Sequence, residues 1–379
     1  MKIIIVGPAY PYRGGIAHYT GLLYKSLREK GHEVKIFNFK RLYPKFLFPG
    51  KTQFESSSEK IEKIESERVI DSINPINWFI TGLKIAREKP DLVIFKYWLP
   101  FFAPCFGVIS CITKLFSKSK IIFICHNITP HEKFPFAKFL SKFAFLFADH
   151  FIVQSTAVEE DLLKIKPRAS YKKIFHPIYE IFGKPIDRNE ARKLLGIKPD
   201  EKVLLFFGYI REYKGLDLLL KSMNLVLSKF PVKLLVVGEF YEDPKRYYKI
   251  VEEEGIEDFV VFKSEYIPNN EVKVYFSASD LVVLPYVSAT QSGIVQIAYN
   301  FNKPVITTNV GGLPEVVIEG KTGFVVEPSS EKLAEAIIKF FEWDLAETFS
   351  KNIENVKEKF SWEHLVQVVE ELSRNKIKF

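Results

Sequence analysis

Short apolar runs alternate with helical patterns along the chain, and this alternation constrains the fold more than any other feature. Runs of Val, Ile, Leu and Phe without a polar residue at every second position suit strands buried on both faces of a parallel sheet. Repeated strand–helix units predict doubly wound α/β sheets. The predicted strands are 2–6, 34–37, 91–96, 120–125, 151–154, 203–207, 232–237, 259–262, 281–284, 304–307 and 323–326. The predicted helices include 17–30, 75–89, 136–148, 216–229, 271–278 and 331–341.

The strand–helix units fall into two series. A connecting segment at 176–196 separates them, and its turn residues are Pro177, Gly183 and Pro185. A chain of 379 residues with 47% hydrophobic residues is long and apolar enough for two domains, each with its own core. The predicted N-terminal domain is 1–178 and the predicted C-terminal domain is 179–360. A final helical segment at 361–379 follows them.

Charge and cysteine content limit the partners and the compartment. The formal net charge is +8 and the pI about 9.0, which suits an anionic partner. The cations are scattered, and no helix-turn-helix or zinc-finger pattern occurs, so no nucleic-acid partner is expected. Cys105, Cys111 and Cys125 lie in apolar surroundings without CxxC spacing, which indicates buried thiols in a reducing compartment. The first strand begins without the layout of a signal peptide, so a cytoplasmic protein is expected.

One apolar stretch, 97–116, is long enough to cross a bilayer. It contains Pro100, Pro104 and Lys114, and it lies between two predicted strands. Because proline interrupts helices, a loop followed by a buried helix is favoured over a membrane span.

The segment FFGYIREYKG at 206–215 offers positive charge at the end of a predicted strand. Gly208 ends the apolar run, Arg211 and Lys214 follow on a short loop, and Gly215 precedes a helical pattern. Cations beside a helix N-terminus, which has N–H groups without intrahelical partners, suit a phosphate or diphosphate. A solvated charged loop is the alternative interpretation.

Other polar groups also follow predicted strands, where ligands bind in open α/β sheets. Gly14 and Gly15 precede a helix after the first strand, and glycines there let backbone N–H groups approach an anion. His126 directly follows the run IIFIC, and the loop containing Gln291, Ser292 and Gly293 precedes an apolar helix. Plain packing turns and a strand-edge histidine are the alternatives. Neither GxGxxG, a complete P-loop nor an Asp-x-Asp pair occurs, and no metal site is predicted.

Taken together, these motifs resemble those of retaining glycosyltransferases of the GT-B fold, family 4. The similarity rests on PYRGGIAHYT, FFGYIREYKG and the block 285–328, which contains VGGLPEVVIEGKTGFVVEP. It implies two Rossmann-like domains that face a central cleft. The N-terminal domain would bind mainly the acceptor, and the C-terminal domain the nucleotide-activated sugar. The helix at 361–379 would cross back to the N-terminal domain.

The resemblance also implies roles for particular residues. Lys214 and an arginine would hold the donor diphosphate, His126 would touch the donor sugar, and the Gly14–Gly15 loop would lie near the diphosphate and the acceptor. The family's arginine usually follows the strand-end glycine directly; Tyr209 stands there, and Arg211 is expected to substitute. The family's glutamate pair is also absent, since no glutamate lies between Glu271 and Glu315. The expected donor contacts are Gly14, Gly15, Gly208, Tyr209, Gly238, Glu239, Tyr266, Ile267, Gln291, Ser292, Gly293 and Ile294.

The implied function is transfer of a hexose, with retention, from a nucleoside-diphosphate sugar to a glycan or lipid-linked acceptor, as in polysaccharide biosynthesis. The nucleotide-sugar is a substrate, and neither a metal nor a cofactor is expected. Two alternatives stay open. A non-catalytic nucleotide-sugar-binding subunit would bind the donor without releasing nucleoside diphosphate. A sugar-nucleotide epimerase would isomerise the donor without an acceptor.

Two segments combine aromatic residues with lysine or arginine, 39–51 and 134–147. Such surfaces can rest on an anionic membrane, which would suit a lipid-linked acceptor and a position at the inner face of the cell membrane. The alternative is an aromatic core with scattered lysines.

Overall fold

The computed structural model describes residues 1–44, 48, 52–55, 64, 66–129 and 134–374. The chain divides into two compact units. The first contains Met1–Pro177 and the segment from Ser361 onward, and the second contains Ile178–Phe360.

The first unit is built on a parallel sheet. In its described residues, seven strands are paired in the order β3-β2-β1-β4-β5-β6-β7. The strands are β1 (Lys2–Val6), β2 (Glu33–Arg41), β3 (Glu67–Asp71), β4 (Leu92–Tyr97), β5 (Lys120–Cys125), β6 (His150–Val153) and β7 (Tyr171–Lys173). The helices between them are α1 (Gly15–Glu29), α2 (Pro75–Arg87), α3 (Ala103–Phe116), α4 (Ala137–Ala144) and α5 (Thr156–Ile165).

The second unit is built on another parallel sheet. Six strands within the described part of this unit are paired in the order β10-β9-β8-β11-β12-β13. The strands are β8 (Lys202–Phe207), β9 (Val232–Val237), β10 (Val260–Lys263), β11 (Leu281–Leu284), β12 (Val305–Thr308) and β13 (Gly323–Val326). The helices are α6 (Arg188–Leu194), α7 (Leu216–Leu227), α8 (Lys245–Glu254), α9 (Asn269–Ala278), α10 (Gly293–Asn300), α11 (Leu313–Val316), α12 (Ser330–Glu342) and α13 (Ala346–Val356).

The predicted fold class, two doubly wound parallel α/β sheets, is confirmed by both strand orders. Central strands such as β1, β5, β8 and β11 are mostly apolar because helices cover both faces of their sheets. In each sheet the strand order reverses at one point, between β1 and β4 in the first unit and between β8 and β11 in the second. The loops after these strands lie at a topological switch point, where α/β sheets bind ligands.

The last described helix belongs to the first unit. The last helix, α14 (Trp362–Arg374), packs against α1. The Trp362 ring lies 4.8 Å from the Tyr19 ring, centroid to centroid. At the surface, Lys30 forms an ion pair with Glu363 at 2.6 Å, and Nε2 of His32 lies 2.8 Å from Glu370. The buried apolar face of α14 therefore completes the first unit.

Two strands were absent from the sequence prediction, β3 and β7. Both lie at the edges of the seven-stranded sheet, and their sequences, ERVID and YKK, are largely polar. An edge strand has one strand neighbour and more contact with solvent, so it lacks the continuous apolar run that marks a central strand.

The apolar stretch 97–116 contains the end of β4, a 3-10 turn at Pro100–Phe102 and α3. Among the described residues, no helix combines the length and the apolar character that a membrane crossing would need.

Candidate active site

Glycines bring the ends of β8 and β9 together in the second unit. Gly208 and Gly238 follow these strands with φ of 108° and 147°, values that disfavour any residue with a side chain. A Cβ on Gly238 would overlap the carbonyl oxygen of Gly208. Backbone hydrogen bonds continue beyond the strands, from Ile210 N to the carbonyl of Glu239 (2.9 Å) and from Tyr241 N to the carbonyl of Ile210 (3.0 Å). The two loops therefore hold each other in one conformation.

Lys214 lies buried beside Gly208. Lys214 is the last residue of a 3-10 turn at Glu212–Lys214, and only 8% of its surface is exposed. A Cβ on Gly208 would lie 3.1 Å from Nζ of Lys214 and 3.3 Å from Cδ1 of Ile294. No acidic side chain of the described residues neutralises this ammonium. Burial, and then the positive charge of Arg211, lowers the pKa of Lys214 to about 7.

The loops after β8 and β11 are fixed to each other at the switch point. Gly215 has φ of 63°, and a Cβ there would overlap the carbonyl oxygen of Pro285. The N–H of Val287 donates to the carbonyl of Tyr213 at 2.8 Å. The ring of Tyr286, which is 3% exposed, lies 5.5 Å from Nζ of Lys214.

Arg211 lies against aromatic rings on the same loops. Its guanidinium carbon is 5.0 Å from the centroid of the Tyr241 ring. The Tyr241 and Tyr209 rings are 4.5 Å apart. Both predicted cations, Arg211 and Lys214, therefore occur on the loop after β8, each beside a tyrosine ring.

The N-terminus of α10 adjoins this cluster. The hydroxyl of Ser292 accepts from the N–H of Ile294 (3.2 Å) and lies 3.4 Å from the hydroxyl of Tyr286. A Cβ on Gly293 would lie 3.1 Å from the Tyr179 ring. The predicted residues Gly208, Lys214, Ser292 and Ile294 are thus brought together, with half-buried Gln291 one position before Ser292.

The remaining predicted donor residues of this unit lie on the loops after β9 and β10. Glu239 is 4% exposed and Ile267 is 5% exposed, while Tyr266 is half-buried. The N–H of Gly238 donates to the carbonyl of Lys263 at 3.0 Å, so the two strand ends are adjacent. Glu239 follows β9, which pairs with β8, whereas Tyr266 and Ile267 follow β10, which pairs with β9. The contact of these residues with a donor stays a prediction.

His126, Gly14 and Gly15 belong to the first unit. His126 follows β5, is 4% exposed, and presents its ring to the Tyr19 ring at 4.7 Å. Burial, followed by the charges of Lys96 and His176, holds the pKa of His126 well below 6.5, so the imidazole is neutral at pH 7. Gly14, with φ of 100°, precedes α1, and Gly15 is the first residue of that helix.

Two buried polar residues were not predicted from the sequence. Lys96 on β4 is fully buried, and Nζ has no hydrogen-bond partner in the described part of the chain; it lies 3.2 Å from the centroid of the Tyr19 ring. Gln296 on α10 is 1% exposed, and neither atom of its amide has a hydrogen-bond partner within that part. The sequence signal that could have identified Lys96 and Gln296 is a polar residue inside an otherwise apolar run.

Within the described residues, no group of three or more His, Cys, Asp or Glu side chains is arranged to hold a metal ion.

Comparison with protein families covers most of the chain. The model for "Glycosyltransferase Family 4" matches residues 13–173, and that for "Glycosyl transferases group 1" matches residues 187–359. These ranges include the loops that carry His126 and Lys214. The chain belongs to the GT-B glycosyltransferases.

Curated relatives of this GT-B chain include an uncharacterized glycosyltransferase of Methanocaldococcus jannaschii, 25% identical over 57% of the chain and 57% of the relative. Another is the D-inositol 3-phosphate glycosyltransferase of Rhodococcus erythropolis, 33% identical over 48% of the chain and 43% of the relative. The matches thus span about half the length of these relatives.

Solved GT-B structures match nearly the whole chain. Sucrose-phosphate synthase from Thermosynechococcus elongatus is 21% identical, with a TM-score of 0.73 over 99% of this chain and 98% of that one. Anabaena HepE in complex with UDP is 19% identical, with a TM-score of 0.75 over 99% and 100%. A glycosyltransferase from Rickettsia africae is 20% identical, with a TM-score of 0.76 over 99% of both chains. These similarities identify the GT-B fold.

Proposed function

We propose that this protein transfers a hexose from a nucleoside-diphosphate sugar to a glycan or lipid-linked acceptor, with retention of the anomeric configuration. Support comes from the curated relatives, which are named glycosyltransferases, and from structural neighbours determined with UDP and with UDP-glucose. It also comes from the cluster of Lys214, Ile294 and Ser292 at the switch point of the second sheet.

The buried ammonium of Lys214 is the observation that carries this proposal. Burying a cation without an opposite charge is costly, and a fold retains such a group where a ligand supplies the missing charge. A diphosphate at the end of β8 would supply it. The same anion would also meet the backbone N–H groups at the nearby N-terminus of α10.

Lys214 and Arg211 would assist departure of the nucleoside diphosphate. As the bond between the anomeric carbon and the diphosphate oxygen breaks, negative charge grows on that oxygen. Cations fixed in place beforehand stabilise this charge without reorganising during the reaction, and loss of one such group typically costs roughly 100- to 1000-fold in rate.

His126 is proposed to hydrogen-bond the donor sugar. As a neutral imidazole it can both donate and accept a hydrogen bond, which suits a sugar hydroxyl. The Gly14–Gly15 backbone is assigned to the diphosphate and the acceptor. Because the chain lacks the usual glutamate pair, Gln291, Ser292 and backbone N–H groups are assigned to the sugar and ribose hydroxyls.

Neither a metal ion nor a cofactor takes part in this proposal. The two cations perform the charge neutralisation that a divalent ion supplies in other enzymes of phosphate chemistry. Turnover is therefore expected to be unchanged by EDTA.

The acceptor is proposed to lie at the inner face of an anionic membrane. Phe136, Phe139 and Leu146 are 80%, 72% and 62% exposed on or beside α4. The exposed Lys138 and Lys142 lie among them, which complements anionic lipid. The segment 39–51, also predicted to contact a membrane, lies partly outside the described residues.

Nucleotide binding tests the proposal. We expect at least one of UDP, ADP, GDP and dTDP to bind and raise the melting temperature. Lys214→Met should abolish that rise, whereas Lys221→Met, which removes an exposed lysine from α7, should leave it unchanged. Unaltered nucleotide binding by a folded Lys214→Met variant would overturn the assignment of Lys214.

Product analysis separates sugar transfer from its alternatives. The corresponding nucleotide-sugar should release nucleoside diphosphate when an acceptor is added, and NMR should find the donor's anomeric configuration in the product. The absent glutamate pair favours one rival, a non-catalytic binding subunit, which would bind the donor and release nothing. Isomerised donor without acceptor would identify an epimerase.

A further inference from the structure

Both cations of the candidate diphosphate site lie over tyrosine rings. The guanidinium carbon of Arg211 is 5.0 Å from the centroid of the Tyr241 ring, and Nζ of Lys214 is 5.5 Å from that of Tyr286. These distances are within the range of cation–π attraction, about 6 Å. No contact between these tyrosines and the two cations was predicted from the sequence.

We propose that Tyr241 and Tyr286 are positioning residues that hold Arg211 and Lys214 in place for the diphosphate, an inference that rests on the proposed function. A carboxylate could also orient a cation, but it would neutralise the charge and compete with the phosphate oxygens. An aromatic ring attracts the cation through its quadrupole and adds no negative charge of its own.

Tyr286 is well placed for this role. Its ring is 3% exposed, and its hydroxyl lies 3.4 Å from that of Ser292 at the N-terminus of α10. The neighbouring backbone is fixed by the bond from Val287 N to the carbonyl of Tyr213, on the turn that carries Lys214. The ring, its loop and the lysine are therefore held by one set of contacts.

Tyr241 is tied to the loop that carries Arg211. Its N–H donates to the carbonyl of Ile210, one residue before the arginine, at 3.0 Å. Its ring also packs on Tyr209 at 4.5 Å between centroids. The loop that carries Arg211 therefore also holds the Tyr241 ring that Arg211 contacts. If Arg211 moved away from this loop, its contact with the ring would be lost.

Binding of inorganic pyrophosphate tests the inference, because this probe carries the diphosphate and lacks base and sugar. Isothermal titration would compare the Kd values of Tyr241→Phe, Tyr241→Leu, Tyr286→Phe and Tyr286→Leu. We expect each Leu variant to bind about tenfold more weakly, whereas each Phe variant, which keeps a ring, binds within about twofold of the unmodified protein. The control Tyr248→Leu removes a ring that packs on Phe262 and should change nothing.

Double variants separate positioning from a general structural effect. Once Lys214→Met has removed the ammonium, Tyr286→Leu should cost no further affinity, since the two residues act through one contact. Additive losses would overturn the inference. Should Tyr286→Leu fail to fold, the same double-variant comparison can be made with Tyr241→Leu and Arg211→Met, because Tyr241 is only half-buried.

The two possible failures are distinguishable. If Lys214→Met binds pyrophosphate as well as the unmodified protein does, the proposed function loses its main support. If Lys214→Met weakens binding while both Leu variants bind normally, only the role of the tyrosines is wrong.

Discussion

The ammonium of Lys214 lies 3.1 Å from the point at which a side chain on Gly208 would place its Cβ. The lysine therefore fills the space that a larger residue at the end of β8 would need. Gly208 also has φ of 108°, where side chains are strained. The glycine both ends the strand and leaves room for the buried cation.

We accordingly expect Gly208→Ala to displace Lys214 and weaken nucleotide binding. The backbone strain should also lower the free energy of unfolding by about 1–3 kcal/mol. Gly255→Ala is a matched control, because Gly255 has φ of 61° but no atom within 4 Å of its Cβ position. Thermal unfolding and nucleotide titration of both variants would check this. Equal nucleotide affinities in the two variants would contradict the expected displacement.

The affinity for nucleoside diphosphate should depend on pH through Lys214. In the ligand-free protein, burial and Arg211 lower the pKa of Lys214 to about 7, from 10.5. An anionic ligand favours the ammonium and raises this pKa, so binding above pH 7 takes up a proton. Affinity is then highest below about pH 7 and decreases as pH rises, by about tenfold between about pH 6 and pH 8.

Lys214→Arg is the control for this pH dependence. Its guanidinium stays protonated throughout this range, and the ligand's own titration is common to both proteins. The ratio of the two Kd values should therefore follow the lysine alone. Parallel pH profiles would show that Lys214 does not titrate near neutrality or does not contact the anion.

The sequence predicted the central strands and the positions of the loops after them well, because central strands and βα loops have strong local signals. Gly208 directly follows β8, Lys214 lies on the loop between β8 and α7, and Ser292 directly precedes α10, as the sequence pattern indicated. The edge strands β3 and β7 were missed because they are polar. The contacts of Tyr241 and Tyr286 with the cations were also missed, since an aromatic residue beside a strand has the same local pattern in a core and in a site.

Lys96 shows a further limit of sequence reasoning. It was assigned to the end of an apolar strand, where a lysine usually extends its stem and reaches solvent. The structure instead buries it against Tyr19 and beside Gly7, whose Cβ position is 2.8 Å from Cγ of Lys96. This contact joins β1, α1 and β4, which are distant in the sequence.

Membrane contact predicts a selective effect of the exposed apolar residues around α4. Phe139→Ser with Leu146→Ser should lower binding to vesicles of phosphatidylglycerol and phosphatidylcholine by at least about tenfold, since burial of one large apolar side chain contributes about 1.5–3 kcal/mol. The control Leu194→Ser with Trp343→Ser removes side chains that are 65% and 62% exposed in the other unit. Cosedimentation would measure both. Equal binding by the two double variants would contradict a membrane-contact surface at α4.

Replacement of Lys96 by methionine should stabilise the protein. Burial holds the pKa of Lys96 well below 10.5, whereas the unfolded chain has the ordinary value. The unfolded state therefore binds more protons between these two pKa values, and the free energy of unfolding decreases as pH falls from about 10.5. The contact with the Tyr19 ring opposes this effect, but a cation–π contact contributes only about 2 kcal/mol, less than the several kcal/mol that burial of a charge costs.

Lys96→Met should thus raise the free energy of unfolding at pH 7 by about 1–4 kcal/mol. It should also reduce the increase in stability between neutral and alkaline pH. Denaturant unfolding across that range checks both effects, with Lys221→Met as the exposed control. A variant that is less stable at every pH would show that the contact with Tyr19 outweighs the cost of burial. A variant that is more stable but inactive would show that the buried lysine serves the reaction. The free-energy cost of burying Lys96 would then be retained for function and not for folding.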